Sequence, residues 1–493
     1  MKRLLLILTG ICAIGMVQAQ DEFENFGMGL IEDNDAYAQI PRKQELLTRD
    51  YIILPESYSL QKYCPKAGSQ GRFGTCSAWS TTYAALTIAE AIKWGWTDAE
   101  VITDEAFAPM FVYSQVKNEA DNTCTQGATI KRAMELLKVK GAPKHRNFNY
   151  TCEDFVPRWV SDEAADNTID DFFTLFDSNC ISQDKKVNAV KKSLTQERPV
   201  LINMHVPMPS FGKAGDVWNG STPEDNRTGY HAMCVVAYDD NKAGGAFQIM
   251  NSWGERWGNK GFTWVKYADF AKYVDWAFEL YVNKIKYPEV ITYTRPIQTP
   301  KRQEETITVF VDPEKPANVL SGSMYIQLRT GEQMEQKLVK GKWPTYEVKG
   351  KYLTGTRYRI YLTNDAPAYV YVIGSDLQNH VSKVFPPEDN ISPALVYSSN
   401  NIALPGEDYW AEMDDTRGKD YLCVLYASRA LPIDDIIGRI RRAEGAFAEK
   451  LVQALEAYGL VPIDDISYER EQIAFKATTH GIVVPMIVEI THK

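Results

Sequence analysis

The chain has 493 residues, of which 44% are hydrophobic and 24% charged, an ordinary globular composition with enough length for two or three domains. Its formal net charge of -10 at pH 7 argues against nucleic acid or an anionic membrane surface as the main partner. We therefore expect a globular protein that binds neither.

The first residues have the pattern of an export signal. Lys2 and Arg3 precede an apolar run over residues 4–17, and the small residue Ala19 follows at the expected cleavage position. We expect a signal peptide over residues 1–19 and a secreted, periplasmic or cell-envelope location. The run is short for a membrane anchor and no similar run follows it, so we expect no integral span after signal removal.

Residues 20–50 are polar and acidic and have little apolar periodicity, which predicts an N-terminal arm without a core of its own. A denser apolar pattern begins at Tyr51, and we predict a first domain over residues 51–286. A helix is predicted from about Cys76 to Trp94, with Thr75 as its N-terminal cap.

The second half of this domain changes to strand patterns. Short β-rich runs are separated by glycine, proline and asparagine turns: Pro199–His205, Ala232–Tyr238, Ala246–Met250 and Gly261–Val265. A helical lobe followed by a β-rich lobe predicts the α+β class.

A proline-containing, charged stretch predicts a linker over residues 287–305, and residues 306–493 are predicted to form a β-rich C-terminal domain of unknown role. Its pattern contains one amphipathic helix, from about Asp434 to Tyr458. The predicted strands are Thr306–Asp312, Arg357–Leu362, Ala368–Ile373, Tyr421–Tyr426, Gln472–Lys476 and Val483–Glu489. His380, His480 and His492 lack metal-ligand spacing, so we expect neither a metal nor a cofactor.

Cys76 stands at the start of a predicted helix, where free N–H groups and the helix dipole favour a thiolate. Gln70, six residues earlier, has a side-chain N–H that could bind an oxyanion together with the backbone N–H of Cys76. Taken alone, Cys76 is more simply interpreted as a buried structural cysteine, and Gln70 as a surface glutamine.

Two later segments supply the partners of a catalytic thiol. His231 could hold the thiolate as an imidazolium and then donate its proton to a departing amine. Asn251 could accept a hydrogen bond from the other ring nitrogen, and Trp253 could shield that contact from water. With these partners, a catalytic function becomes the preferred interpretation of Cys76.

The segments Ser69–Ser80, Gly229–Cys234 and Met250–Gly254 together resemble the papain-like (C1 family) cysteine peptidases, of a bacterial secreted type, over about residues 51–285. The resemblance implies a two-lobed fold with the active site in the cleft. It also implies hydrolysis of peptide bonds in a peptide or protein substrate through an acyl-enzyme. The C-terminal residues faintly resemble uncharacterised β-rich domains of bacterial peptidases, which suggests a partner at the cell envelope.

The same resemblance implies finer details. Gly127 would pair with the substrate backbone, Ala232 would line the pocket for the residue before the cleaved one, and Cys124 would form a disulfide with Cys152. His231 follows Cys76 by 155 residues (231 − 76), against about 130 to 150 in cathepsins. We place the extra residues in an acidic loop over residues 147–183.

The sequence also departs from the family pattern. Phe73 and Ser77 stand where similar enzymes have a cysteine and a tryptophan, which marks the site as divergent. Two alternatives remain open: a papain-like pseudoenzyme that binds peptides, and acyl transfer of the transglutaminase kind. The intact set of Gln70, Cys76, His231 and Asn251 disfavours the first. The short arm is too small for a folded inhibitory domain but is a candidate to cover the cleft.

Overall fold

The computed structural model describes residues 27–47, 49–149, 152, 155–282, 295–296, 304–305, 318–376, 380–397 and 399–493. The predicted signal peptide, most of the predicted linker and the predicted strand Thr306–Asp312 lie outside these residues. The described parts of the chain form two compact units. The first contains Met1–Arg42 and Ile53–Lys284, and the second contains Lys43–Ile52 and Ile285–Lys493.

The first unit combines short helices with one mixed sheet. Its helices are α1 Asn34–Tyr37, α3 Cys76–Ala78, α4 Thr87–Trp94, α5 Ala99–Asp104, α6 Pro109–Val116, α7 Ile130–Lys140, α8 Arg158–Ala165, α9 Gln183–Thr195 and α10 Tyr267–Tyr273. Helix α2, Arg49–Ile52, lies in the second unit. None of the helices in the described ranges has the length and apolar character that a membrane crossing requires.

The strands of the first unit are β1 Ser57–Ser59, β2 Asp171–Phe176, β3 Val200–Met208, β4 Val217–Trp218, β5 Arg227–Asp239, β6 Ala246–Met250, β7 Phe262–Lys266 and β8 Val274–Tyr281. They pair in the order β2-β8-β3-β5-β6-β7-β4, and β1 also pairs with β5. Strand β5 is central and mostly buried, so residues along it are held on both sides by antiparallel neighbours.

The predicted helix from Cys76 to Trp94 is present as one helical run, in which a π-helical segment, Trp79–Leu86, separates α3 from α4. The run ends at Gly95, which has a left-handed conformation with φ 71°. The predicted cap is wrong in one respect, because the Thr75 side chain makes no capping hydrogen bond. The backbone of Thr75, at φ -110° and ψ 16°, is not in the extended conformation that directs a cap hydroxyl to the first turn.

The extra residues between the cysteine and the histidine are not a simple loop, and this prediction is wrong. Residues 147–183 include helix α8 and strand β2, and β2 pairs with β8 at the edge of the sheet. Buried apolar residues such as Val160, Phe173 and Phe176 hold these elements against the core. Acidic residues lie between these apolar residues and hide their periodicity in the sequence.

The residues predicted as an acidic arm are divided between the two units. Leu30, Tyr37 and Ile40 are buried in the core of the first unit, and Leu47 donates a backbone hydrogen bond to the Asn401 carbonyl in the second. Side chains from this segment therefore contribute to both cores.

The second unit contains two larger sheets. Its strands are β9 Arg295–Pro296, β10 Glu304–Glu305, β11 Asn318–Leu328, β12 Gln336–Val339, β13 Thr345–Val348, β14 Arg357–Asn364, β15 Ala368–Ser375, β16 Val381–Phe385, β17 Ala394–Leu395, β18 Asn400–Leu404, β19 Ala411–Glu412, β20 Gly418–Ala427, β21 Ile466–Tyr468, β22 Ile473–Thr479 and β23 Val483–His492. One sheet has the order β18-β14-β11-β22-β21, with β19 on β14. The other has the order β12-β13-β23-β20-β15-β16, with β17 on β15.

The single long helix predicted from Asp434 to Tyr458 is wrong. The structure has two helices there, α11 Ile433–Arg442 and α12 Phe447–Glu456. The break contains Gly445 with φ 111°, a conformation that ends helical geometry. Both helices carry apolar stripes, so the sequence pattern alone reads as one continuous helix.

Candidate active site

Cys76 is the first residue of α3, and its side chain is fully buried. Burial raises the pKa of the Cys76 thiol to about 11, although the backbone N–H groups of Ala232, Gly29 and Ser77 act in the opposite direction. The thiol is therefore neutral at pH 7 in this closed arrangement. Ala232, the predicted pocket residue, thus lies beside the sulfur.

His231 on β5 and Asn251, directly after β6, are brought together by the pairing of these two strands. The His231 Nε2 and Asn251 Oδ1 atoms are 2.8 Å apart, and the Trp253 ring stacks on the imidazole with centroids 4.8 Å apart. Among the described residues, Nδ1 of His231 is buried without a hydrogen-bond partner. That nitrogen is available to a thiol or to a reacting group.

Burial also affects the imidazole. It lowers the pKa of His231 to about 4, and the hydrogen bond with Asn251 opposes part of that change. Both catalytic candidates are consequently uncharged at neutral pH in the closed site.

Gln70 is held in one orientation by the loop that carries Asn251. Its Oε1 atom accepts a 2.6 Å hydrogen bond from the Ser252 hydroxyl, and its backbone N–H donates to the Ser252 carbonyl. The Nε2 group therefore points the other way, and donates to the carbonyl oxygens of Gly27 and Phe73 at 2.7 Å each. The structure thus fixes the orientation of the Gln70 amide, and its role as an oxyanion donor stays a prediction.

The predicted substrate-binding residue Gly127 uses its backbone N–H within the protein, donating to the Tyr113 hydroxyl at 2.9 Å. The next residue, Ala128, presents its backbone to residues 29–31. The Ala128 N–H donates to the Gly29 carbonyl at 3.0 Å, and the Ala128 carbonyl accepts from the Ile31 N–H at 3.3 Å. The substrate role of Gly127 stays a prediction, and Ala128 becomes a second candidate for backbone pairing.

Sequence reasoning missed the residues that shape this backbone. Asp121 is fully buried and accepts hydrogen bonds from the Tyr113 hydroxyl at 2.8 Å and from the N–H groups of Thr125 and Gln126. These bonds fix the turn that leads to Gly127. Nothing in the local sequence distinguishes Asp121 from the other acidic residues, because its partner Tyr113 belongs to helix α6.

The preferred disulfide is confirmed, because Cys124 and Cys152 are joined in the structure with 5.6 Å between their Cα atoms. Among the residues that the structure describes, the free cysteines are Cys64, Cys76, Cys180, Cys234 and Cys423. Within the described ranges, no group of three or more His, Cys, Asp or Glu side chains is arranged to hold a metal ion.

Part of the chain matches a known protein family. Residues 55–274 match the family model described as "Papain family cysteine protease". Curated relatives include Cysteine protease XCP2 of Arabidopsis thaliana, 23% identical over 256 residues that cover 50% of this chain and 65% of the relative. Cathepsin K of Mus musculus is 33% identical over 76 residues, 15% of this chain and 22% of the relative. The matches span less than two thirds of these relatives.

Solved structures similar to the chain include xylellain, a cysteine protease from Xylella fastidiosa, with 18% identity and a TM-score of 0.43 over 52% of this chain and 96% of the other. The digestive procathepsin L2 of Tenebrio molitor has 17% identity and a TM-score of 0.42 over 53% and 80%. The family match supports a papain-like cysteine peptidase domain over residues 55–274.

Proposed function

We propose that this chain is a secreted cysteine peptidase that hydrolyses peptide bonds through an acyl-enzyme on Cys76. One observation carries the proposal. His231 is held by Asn251 and Trp253 on one side and keeps its Nδ1 atom unpaired, and the backbone N–H of the next residue, Ala232, points at the Cys76 sulfur.

The mechanism follows from these positions. When the cleft is open, the Cys76 proton passes to His231, and the thiolate attacks the substrate carbonyl carbon to form a C–S bond. The oxyanion accepts hydrogen bonds from Gln70 Nε2 and the backbone N–H of Cys76. His231 returns its proton to the nitrogen as the C–N bond breaks. A water molecule, deprotonated by His231, then attacks the thioester and releases the carboxylic acid and the thiol.

A peptide-binding pseudoenzyme is the second candidate, and the buried, uncharged state of Cys76 and His231 favours it. Iodoacetamide alkylation of Cys76 separates the two candidates. In the mature chain, a peptidase shows rapid alkylation of Cys76 below pH 7, which slows in His231→Ala. It also hydrolyses unfolded protein substrates. Ordinary thiol reactivity at Cys76 and no Cys76-dependent hydrolysis support the pseudoenzyme and contradict the peptidase.

The proposed location rests on the pattern of residues 1–19 and is supported by the Cys124–Cys152 disulfide, because such bonds persist in oxidising compartments. We expect the mature chain to begin at Gln20. N-terminal sequencing of protein from the culture medium or the periplasm tests this. A chain that retains Lys2 and Arg3 in the cytoplasm contradicts it.

We further propose that the β-rich C-terminal unit is a separate domain that binds a partner at the cell envelope. Support comes from its own pair of sheets and its own core, which includes Tyr346, Val424 and Ile487. Fractionation of cells that express the full chain tests the proposal. Recovery of all the protein in the free soluble fraction contradicts it.

A further inference from the structure

Asn203 is a buried polar residue that the proposed mechanism does not use. It lies on β3, and its side chain is fully buried. Among the residues that the structure describes, neither Oδ1 nor Nδ2 of this side chain has a hydrogen-bond partner. A buried carboxamide without hydrogen bonds destabilises a folded protein, so the presence of Asn203 calls for an explanation other than stability.

The sheet places Asn203 close to the proposed nucleophile. Asn203 is directly opposite Ala232 on β5 and opposite Trp276 on β8. Residues that are directly opposite in antiparallel strands project from the same face of the sheet, with Cα atoms about 5 Å apart. The backbone N–H of Ala232 points at the Cys76 sulfur. Asn203 is therefore one strand away from the residue that contacts the thiol.

This face of the sheet points toward the helices of the first unit. The Trp276 ring packs on the Tyr37 ring with centroids 5.4 Å apart, and the Tyr37 hydroxyl accepts from the N–H of Ile130, the first residue of α7. Burial raises the pKa of Tyr37, and the nearby Cys76 acts in the same direction. The Asn203 side chain therefore lies on the side of the sheet where the thiol is.

The neighbours of Asn203 on this face form an apolar row on one side and a polar row on the other. Two residues earlier on β3, Leu201 is opposite Cys234, and both are fully buried. Two residues later, His205 is opposite Tyr230, and these partly exposed rings have centroids 5.0 Å apart. Asn203 is therefore at the inner end of a polar subsite whose rim is His205 and Tyr230.

A carboxamide without partners is suited to bind another carboxamide. Nδ2 of Asn203 can donate and Oδ1 can accept, so a glutamine or asparagine side chain can pair with both atoms at once. An apolar side chain leaves both atoms unpaired, and a charged side chain loses its hydration without meeting an opposite charge on Asn203. The carboxylate of Asp275, which lies near the rim, already interacts with Lys186 and His205, and they offset part of its negative charge.

We propose that Asn203 is a specificity-determining residue, and that it selects substrates with a glutamine or asparagine immediately before the residue whose carbonyl carbon is attacked. This inference rests on the proposed peptidase function and names the substrate class of the same site. Cys76 attacks the carbonyl carbon of one substrate residue, while Asn203 binds the side chain of the residue before it. Substrate binding supplies the hydrogen bonds that Asn203 lacks in the free protein, which favours the complex.

The preference is tested with the mature chain and fluorogenic peptides that differ only at this position. Glutamine is compared with methionine, which has a similar length but cannot donate a hydrogen bond. The kcat/KM for the glutamine peptide is expected to be about tenfold higher or more, because the methionine peptide leaves Asn203 unpaired. Equal values, or a higher value for the methionine peptide, overturn the preference. A higher value for a lysine peptide also overturns it and assigns the subsite to the Asp275 carboxylate.

Asn203→Leu is the matched variant, because leucine has nearly the same shape and no polar atoms. It is expected to lower kcat/KM for the glutamine peptide about tenfold or more and to raise it for the methionine peptide. Leu201→Met, in the apolar row, is the control and should leave the ratio of the two values unchanged. The melting temperature of Asn203→Leu should be unchanged or higher, since the unpaired groups are removed. A lower melting temperature with an unchanged ratio shows a structural role for Asn203 and overturns the proposal.

A binding measurement separates this inference from the peptidase function. In Cys76→Ala, which cannot form an acyl-enzyme, the glutamine peptide is expected to bind about tenfold more tightly than the methionine peptide, as measured by fluorescence anisotropy. If it does so and the unchanged chain hydrolyses neither peptide, the peptidase function fails while the assignment of Asn203 stands. If both peptides bind equally and are hydrolysed with equal kcat/KM, the assignment fails while the peptidase stands. If neither peptide is bound or hydrolysed, both fail.

Discussion

Buried polar side chains serve different purposes in the two units. In the second unit, Asn364 on β14 is fully buried and donates to the carbonyls of Ala366, Leu395 and Tyr397, and its Oδ1 accepts from Asn400. In the first unit, His231 is equally buried, yet its Nδ1 atom has no hydrogen-bond partner among the described residues. A buried polar group whose hydrogen bonds are all made stabilises its surroundings, whereas a buried ring nitrogen without a partner can take part in a reaction.

The largest effect is expected at the nucleophile. Cys76→Ser in the mature chain should lower kcat by about 10⁵-fold or more, because the hydroxyl is a much weaker nucleophile without a base tuned for it. Cys180→Ser, at a free and partly exposed cysteine, is the control and should leave kcat unchanged. Measurement of peptide hydrolysis by both variants decides this, and residual activity in Cys76→Ser near that of the control would assign catalysis elsewhere.

Gln70→Glu should lower kcat of the mature chain by about 10²- to 10³-fold, because it removes the N–H that the proposed mechanism assigns to the oxyanion. Iodoacetamide should still label Cys76, because the thiol itself is unchanged. Kinetics and labelling are measured on the same preparations. An unchanged kcat would show that Gln70 is only structural.

The buried His231 should make the folded protein less stable in acid. Its folded pKa of about 4 lies below the value of about 6.5 for an exposed histidine, so the unfolded state binds more protons between these values. The free energy of unfolding should therefore fall as the pH drops from about 6.5 to about 4, by about 3 kcal/mol in total. Urea titrations across this range test it, with His231→Gln as the comparison. The same slope in both proteins would rule out His231 as its source.

Asn364→Ala should change stability without changing chemistry. Losing its side-chain amide takes a donor from the buried carbonyls of Leu395 and Tyr397 and one of two acceptors from the Asn400 amide, at a cost of about 2 kcal/mol in the free energy of unfolding. The melting temperature should drop, while kcat/KM of the mature chain at 25 °C should be unchanged. A large loss of kcat/KM with an unchanged melting temperature would show that Asn364 is needed for activity and not for stability, which contradicts its structural role.

The order of Cys76, His231 and Asn251 in the sequence predicted the contact of His231 with Asn251, which the structure contains, and the Ala232 N–H after His231 lies at the Cys76 sulfur. The disulfide and most strands were also predictable, because local periodicity and cysteine positions are sequence properties. Their catalytic roles remain predictions for the experiments above. Thr75 is at the N-cap position of α3, but its side chain makes no capping hydrogen bond, so residue type alone does not predict a cap.

Features that depend on distant partners could not be predicted. The hydrogen bond between Gly27 and Gln70 joins residues 43 positions apart, and a Gly-Met-Gly sequence is too common to indicate such a partner. The break at Gly445 was hidden because the apolar stripe resumes in phase in α12. Strand β2 was hidden because its acidic surroundings resemble a loop, although its partner β8 buries it.

The assignment of residues 43–52 to the second unit has a consequence for the gene. Leu46, Leu47 and Asp50 are buried, and the Asp50 carboxylate accepts hydrogen bonds from the backbone and the side chain of Asn401. A stop codon near residue 286 would delete Asn401 and leave these side chains without their packing, within a chain that otherwise retains its catalytic residues. Loss of the second half of the reading frame is therefore expected to affect the protein that remains, and we expect selection to keep both halves of the gene.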